Sequence, residues 1–598
     1  MKRNLKLVLW LMTVGAFAVQ ATDIFAQSSV PYTSASLFIW TNKYVYLPGE
    51  PITVRLTARG NNDLSLYTAV VYLQNNQTGA KTYLSGAGTS ATAVDISGRT
   101  PGQGFTQYIL GDVTKMVIVG SGGWIPGQVA PADLGMHTVA LEIRDSAGSR
   151  ILKTAYAKIG VVNGFTNLQG EITADQTLVN TRAYNLSGIV TVKNNATLTI
   201  QPGTFIFGQP GSQPPSALII GVNGKIIAQG TRSRPITMTS SQAIGQRAPG
   251  DWGGLVMLGK APLNVAGGVA NIEGLPPSPD TTYGGNDSSH NCGTLAYVRV
   301  EFGGAILSPN NEINNITWGA CGSGTVADHI QARYGLDDLF EWFGGTVDAK
   351  YLAGQNSRDD YLDGQLGWSG RLQHGVMLAG TDVHGNRGIE MDNSEFDDRA
   401  APLGRPQIYN VSFVGSGDLF TAGFDETDSS AIYMRRGAGG AYNNLMLYNW
   451  IVNGFSARDN SGSTATRDSM ANRTLTVNGL MMYDNGKASG RINDLNSTNG
   501  QAADFGSTGN ANARNLLNGS LGDGQNVLIA DPLLRRPLYR SDPDFLPLAG
   551  SPVFRANWVQ PPDDGFFDQW ARWNGGFGDV DWTEEWTVWP QEGDLRLD

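Results

Sequence analysis

Charge is scarce in this chain: 16% of its 598 residues are Asp, Glu, Lys or Arg, and histidine occurs 5 times. The charge present leans acidic, with a formal net of −11. Nucleic-acid binding needs clustered Lys and Arg to neutralise phosphates, so that partner is not expected. An anionic membrane surface is disfavoured for the same reason. Sustained helical periodicity is missing. Apolar runs long enough to span a bilayer are missing too, so no transmembrane segment is expected after the N-terminal leader described below. Cysteine is nearly absent, with Cys292 and Cys321 the only pair. A disulfide-dense scaffold is therefore excluded. In an oxidising compartment the pair reads most simply as one disulfide. Two buried thiols are an alternative, as is a metal site with His290 and His329, although the spacing fits no common zinc signature.

At the N-terminus, Lys2, Arg3 and Lys6 precede the apolar run Leu7 to Val19, and small-residue cleavage sites end at Ala21 and Ala26. Residues 1–26 read as a cleaved signal peptide. The mature chain is then expected to be secreted, extracellular or at the cell surface. No cysteine follows either site, so a lipid anchor there is not expected.

Glycine is abundant, at 77 residues, and short apolar runs alternate with Gly, Asn, Asp and Ser clusters. This is the pattern of many short strands joined by tight turns, and it predicts an all-β protein. Residues 31–165 read as a β-sandwich of immunoglobulin-like type, from alternating runs at Ile52 to Ala58, Tyr67 to Leu73, Met116 to Val119, His137 to Ile143 and Ala155 to Val162. After Gly170 the spacing tightens. Leu186 to Val192, Ala196 to Ile200, Leu218 to Ile220, Lys225 to Gly230 and Pro235 to Ser240 give a few strands per coil. One such coil cannot bury its own apolar face, so coils must stack.

Longer motifs carry a resemblance. Ala196 to Ile206, Gly250-Asp251-Trp252-Gly253-Gly254, Leu295 to Gly304, Asn311 to Thr317 and Asp337 to Val347 resemble a family of secreted bacterial right-handed parallel β-helix proteins, mostly uncharacterised. The resemblance implies a right-handed parallel β-helix over residues 170–530 and export; it implies no activity. Ser456 to Asn526, rich in Gly, Asn, Ser and Ala, reads as long loops on a continuing core. Residues 531–598, dense in Trp and Phe, read as a C-terminal segment capping the last coil. A sugar-stacking platform is the rival reading of those tryptophans. Gly293-Thr294-Leu295 and Gly324-Thr325-Val326 each open a similar strand. On neighbouring coils that brings Cys292 near Cys321 and favours the disulfide, subject to its narrow geometry.

Chemistry is expected where acids recur at coil length. Asp337-Asp338-Leu339-Phe340-Glu341 is echoed by Asp359-Asp360-Tyr361-Leu362-Asp363, and Asp382 follows at the same interval. Neighbouring strands lie about 4.8 Å apart, so Asp338 should stack on Asp360 and Glu341 on Asp363. The stretch from Glu390 through Asp392 to Asp398 extends the face. Stacked carboxylates repel, and Arg333, Arg358 and Arg371 are candidate neighbours. Three readings stay open: a solvated or Arg-paired ladder, a calcium site on Asp338 and Asp360, or a catalytic set of Glu341, Asp360 and Asp363 cleaving polysaccharide. Asp337, Asp338, Asp382, Glu390 and Asp392 are the candidate binding residues. His329, His374 and His384 read as structural, since no zinc-protease motif or nucleophile elbow accompanies them. The function expected is a non-catalytic exported protein of the envelope or surface, binding a glycan, a surface or a protein partner. The alternatives are a calcium-assisted polysaccharide hydrolase or lyase, and a subunit of a surface layer or filament.

Overall fold

The computed structural model describes residues 36–591 except 51, 53, 60–67, 86–87, 91–105, 108–115, 120–132, 146–147, 213, 274, 309–310, 382–384, 386, 418–429, 452, 486–526 and 556. The leader at 1–26 therefore lies outside the described residues, as do Asp382 and His384. Among the described residues, no helix is long and apolar enough to cross a membrane.

Among the described residues, the N-terminal unit holds two sheets. One has four strands, with Ser36–Thr41 at its edge beside Val54–Arg59; the other has six, in which Ile151–Val161 and Gly135–Arg144 are neighbours. Period-2 alternation gives each sheet an apolar face. Leu37, Ile39 and Val54 of one sheet meet Val71, Leu141 and Ile159 of the other in a single buried cluster. The predicted strands are found within a few residues of their expected places.

Among the described residues from Phe165 to Ile529, 25 strands form one sheet, with every pairing in it parallel. Parallel neighbours normally need a helical crossover. Here a strand pairs with one that follows two or three elements later, so the chain advances as a coil. Phe340 pairs with Leu362, Leu362 with Ile389 and Ile389 with Ile432, stacking apolar side chains along the inside. One continuous core runs from Leu168 to Met482. Within it Trp318, Trp342 and Trp368 stack at centroid distances of 5.1 and 4.5 Å.

A second repeated device lies at the bends. Tyr297, His329, Tyr351 and His374 occupy corresponding positions, each with positive φ, and their rings stack at 4.3, 4.3 and 4.7 Å. Non-glycine residues adopt that conformation at a cost, which the stacking offsets. Both histidines are thus fixed in an aromatic column, and His374 is further held by Asp568 at 3.1 Å.

Cys292 and Cys321 are disulfide-bonded, with Cα atoms 5.9 Å apart. Both are fully buried, and the bond between them removes the free-thiol and metal readings. The bond closes a loop with a sequence separation of 29. The double variant Cys292→Ala/Cys321→Ala is expected to lose about 3–4 kcal/mol of stability, by the loop-closure model. Denaturant titration checks this, and unchanged midpoints would show that the bond constrains nothing.

The tail does more than meet the last rungs, where Leu534 and Val553 pack with Met446, Met481 and Leu528. It packs along the outer flank of the coils and returns toward the N-terminal unit. Asn444 donates to Val559 O, Asn410 to Trp573 O and Gln331 to Val588 O. Glu585 then reaches Lys158 at 2.9 Å. Phe545, Phe577, Trp586 and Trp589 cover Ala353, Val376, Leu378 and Val414. Those outward apolar side chains needed a cover, and this flank is where the aromatics are used.

Candidate functional site

The acids occupy two parallel rows on the coil. The register Ile316–Phe340–Leu362–Ile389 places the residues two positions earlier, Asn314, Asp338, Asp360 and Arg387, on successive rungs of one turn. One position after each apolar residue the row reads Thr317, Glu341, Asp363, Glu390 and then Tyr433. Side chains alternate across a strand, so Phe340 and Trp342 point inward and Glu341 points outward.

Outward does not mean exposed here. The loop between the strands Leu255–Leu258 and Gly293–Glu301 lays Leu263, Ile272, Leu275 and Tyr283 against Phe343 and Leu366. Asp338, Glu341, Asp360 and Glu390 are 6, 4, 3 and 4% exposed, and Glu273 of the same loop acts electrostatically on Glu341. Asp363 is half-buried. Its Oδ1 is nonetheless shut off from solvent and meets no hydrogen-bond donor.

The partners divide the row. Glu341 accepts from Asn314 and, at 3.0 Å, from Gln365. Asp338 accepts the Asp360 N–H at 2.8 Å, and its own N–H goes to Asn314 at 3.1 Å. Asp360 lies 3.8 Å from Arg387. Glu390 is held by Arg387 at 3.1 Å and by Arg435. Asp392 takes Arg435 at 3.0 Å and Arg436 at 2.7 Å. Of the arginines expected here, Arg333 instead donates to Pro590 O and Arg371 pairs with Asp348 and Asp564. Arg358 is exposed.

What remains is a knot of poorly compensated charge. One carboxylate oxygen each from Asp338, Glu341 and Asp363 lies within 4.8 Å of the others, and Asp337, Asp338 and Asp359 form a second such group. Burial pushes Asp338, Glu341, Asp360 and Asp363 well above the usual carboxylate range. Like charges add to it: Asp337 and Asp360 on Asp338, Glu273 and Asp363 on Glu341, Asp359 and Glu390 on Asp360, and Glu390 and Asp392 on Asp363. Two oxygens on one calcium ion lie at most about 5 Å apart, so the first trio has the right spread for it. The structure thus joins Asp338 to Glu341 and Asp363; Asp360 turns to Arg387 instead.

Asn314 and Gln365 were not picked out from sequence. Aligning Asn314-Asn315-Ile316 on Asp338-Leu339-Phe340 was the signal that could have found the first.

A coiled, all-parallel sheet with its chemistry on the outer face defines a parallel β-helix protein. The family model described as a pectate-lyase like beta helix domain matches residues 170–519, more than half of the chain, and the chain belongs to that family. No curated protein and no solved structure matches it.

Proposed function

We propose that the protein is exported and acts at the cell surface as a non-catalytic, polysaccharide-binding β-helix whose acidic row holds a calcium ion. The observation that carries the reading is the burial of the acids. A hydrolase must show two carboxyls to its sugar at a set separation. Here Glu341, Asp338 and Asp360 are buried and tied to neighbours. Family membership supports the polysaccharide class without supplying an activity. The signal-like leader and the buried disulfide support export to an oxidising compartment. The architecture that goes with the reading is an immunoglobulin-like sandwich presenting a right-handed helix.

The purified protein is expected to be retarded by immobilised plant or bacterial polysaccharides while releasing no reducing ends or unsaturated products. Depolymerisation lost in both Asp360→Asn and Glu341→Gln would establish the hydrolase or lyase reading instead.

The cation has its own test. The folded Asp338, Glu341 and Asp363 carboxyls are held above the usual range, so above about pH 4 the native state binds more protons than the unfolded chain. Without a cation, stability falls as pH rises through that window. A bound ion removes the fall. Adding calcium to chelated protein is expected to raise Tm by roughly 5 °C at pH 8, less at pH 5, and much less in Asp363→Asn. Equal melting with calcium and with chelator at pH 8 would remove the ion from the account.

A further inference from the structure

Among the described residues, the N-terminal unit leaves two strand edges without a pairing strand beside one cleft. Ile151–Val161 pairs with Gly135–Arg144 along one side, but along the other it meets Val45–Tyr46 only at Gly160 and Val161. Gly160 N–H reaches across that second side to Tyr44 O at 2.8 Å. Alternation then turns the backbone N–H and C=O of Lys158, Tyr156 and Thr154 the same way. Among the described residues, no strand takes them up. Ser36–Thr41 is likewise outermost in its sheet, and its Leu37 N–H is satisfied by the Asp542 carboxylate at 2.7 Å.

Between these edges and the C-terminal segment lies a cleft of about 390 Å³, lined by the unbroken runs Leu37 to Thr41 and Ile151 to Lys158. Natural sheets pair or cover an edge that is not meant for use. Trp40 also lines the cleft, and its buried Nε1 donor has no acceptor. The wall is acidic. Lys153 pairs with Asp542, Lys158 with Glu585 at 2.9 Å and Arg535 with Asp544 at 3.8 Å. Asp579 and Asp581 remain, and among the described residues lining the cleft no further Lys or Arg faces them. Asp581 takes both Thr583 donors on Oδ1. Burial, with Glu584 and Asp544 nearby, pushes its carboxyl up to about 6.

We propose that this cleft receives an extended basic peptide segment of a partner protein, which adds a strand to the open edge from Thr154 to Lys158. A peptide backbone repeats its donors and acceptors at the spacing of that edge, about 6.6 Å for alternate residues. A sugar has no such period. A Lys or Arg on the inserted strand would meet Asp581, and a backbone carbonyl would satisfy Trp40. The site is separate from the acidic row on the helix and does not depend on the polysaccharide reading.

The test uses the full chain and the probe acetyl-Lys-Val-Lys-Val-Lys-amide. Binding is expected below millimolar concentration, together with at least tenfold slower backbone hydrogen exchange across 154–158. The Glu-Val-Glu-Val-Glu counterpart should bind at least tenfold more weakly. So should the basic probe N-methylated at alternate amides, a control that leaves the protein untouched. Asp581→Asn should weaken the basic probe several-fold. Equal binding of the N-methylated or acidic peptide would overturn the proposal. Absent protection at 154–158 with millimolar probe would also overturn it, as would a neutral oligosaccharide that protects those amides while the peptide does not.

Discussion

Trp342→Ala is expected to cost about 3–5 kcal/mol, the range for removing a large buried ring, and to lower the denaturant midpoint of the β-helix sharply. The reason lies in how three rungs share one stack. Trp318 pairs directly with Trp342, and Trp342 with Gly364. The next indole comes from Trp368, further along the same rung. It reaches the stack because position 364 has no side chain: a Cβ there would lie 2.9 Å from the Trp368 ring and 2.6 Å from Met391 sulfur. Trp342 is therefore the middle plate, fully buried between neighbours at 5.1 and 4.5 Å. Its loss leaves a cavity the width of an indole and breaks both stacked pairs, each worth about 0.5–1.5 kcal/mol beyond area burial. In a solenoid each rung depends on its neighbours, so the defect spreads along the coil. Phe396, 71% exposed, is the control, and Phe396→Ala should stay within about 0.5 kcal/mol of the parent. A Trp342→Ala midpoint as close as that would show that the coil repacks and that the stack is dispensable.

The same periodicity explains which parts of the molecule could be read from sequence. Phe340 and Leu362 lie one uninterrupted coil apart, so the echo of Asp338 and Glu341 in Asp360 and Asp363 translated directly into neighbouring rungs. The echo fails where a coil carries an insertion. Asp392 and Arg435 are adjacent across strands but 43 residues apart in sequence. The true counter-charges Arg435 and Arg436 therefore gave no signal, while Arg333, Arg358 and Arg371, nearer in sequence, did. Arg387 was hidden differently. It sits at the turn position that Asp338 and Asp360 hold on earlier rungs, and a change of charge sign does not look like a repeat. The burial around Glu341 was also illegible, because Leu263, Ile272 and Tyr283, packed on the nearby Phe343, come from a loop about three coils' worth of sequence away. The tail posed the same difficulty. Its aromatics announced a cover, but which surface they cover depends on where Ala353, Val376 and Leu378 leave the outer flank apolar.

Arg435→Ala tests the electrostatic half of this account. Among the described residues, Arg435 is the one cation that touches both Glu390 and Asp392, and these acids are about 5 and 3% exposed at their side chains. Removing one partner of a buried ion pair typically costs about 3–5 kcal/mol, because the remaining charge is left without compensation. Asp392 keeps Arg436 at 2.7 Å, and Glu390 keeps Arg387 at 3.1 Å, which places the expected loss at the lower end of that range. The pH dependence is the sharper signature. Burial already holds the Glu390 carboxyl above the usual range, and Arg435 is the largest influence pulling it back. Without Arg435 it moves further up, so the folded variant binds a proton that the unfolded chain has released. Stability then rises as pH falls through the raised value and is lost as pH increases. The variant should be markedly weaker than the parent at pH 8 in urea titrations and recover part of the gap at pH 5. Glu390→Gln placed on Arg435→Ala should close much of the gap at pH 8, since a neutral amide needs no counter-charge. A gap that is the same at both pH values, and that the double variant leaves open, would mean that Arg435 acts through its packing on Tyr433 and not through charge.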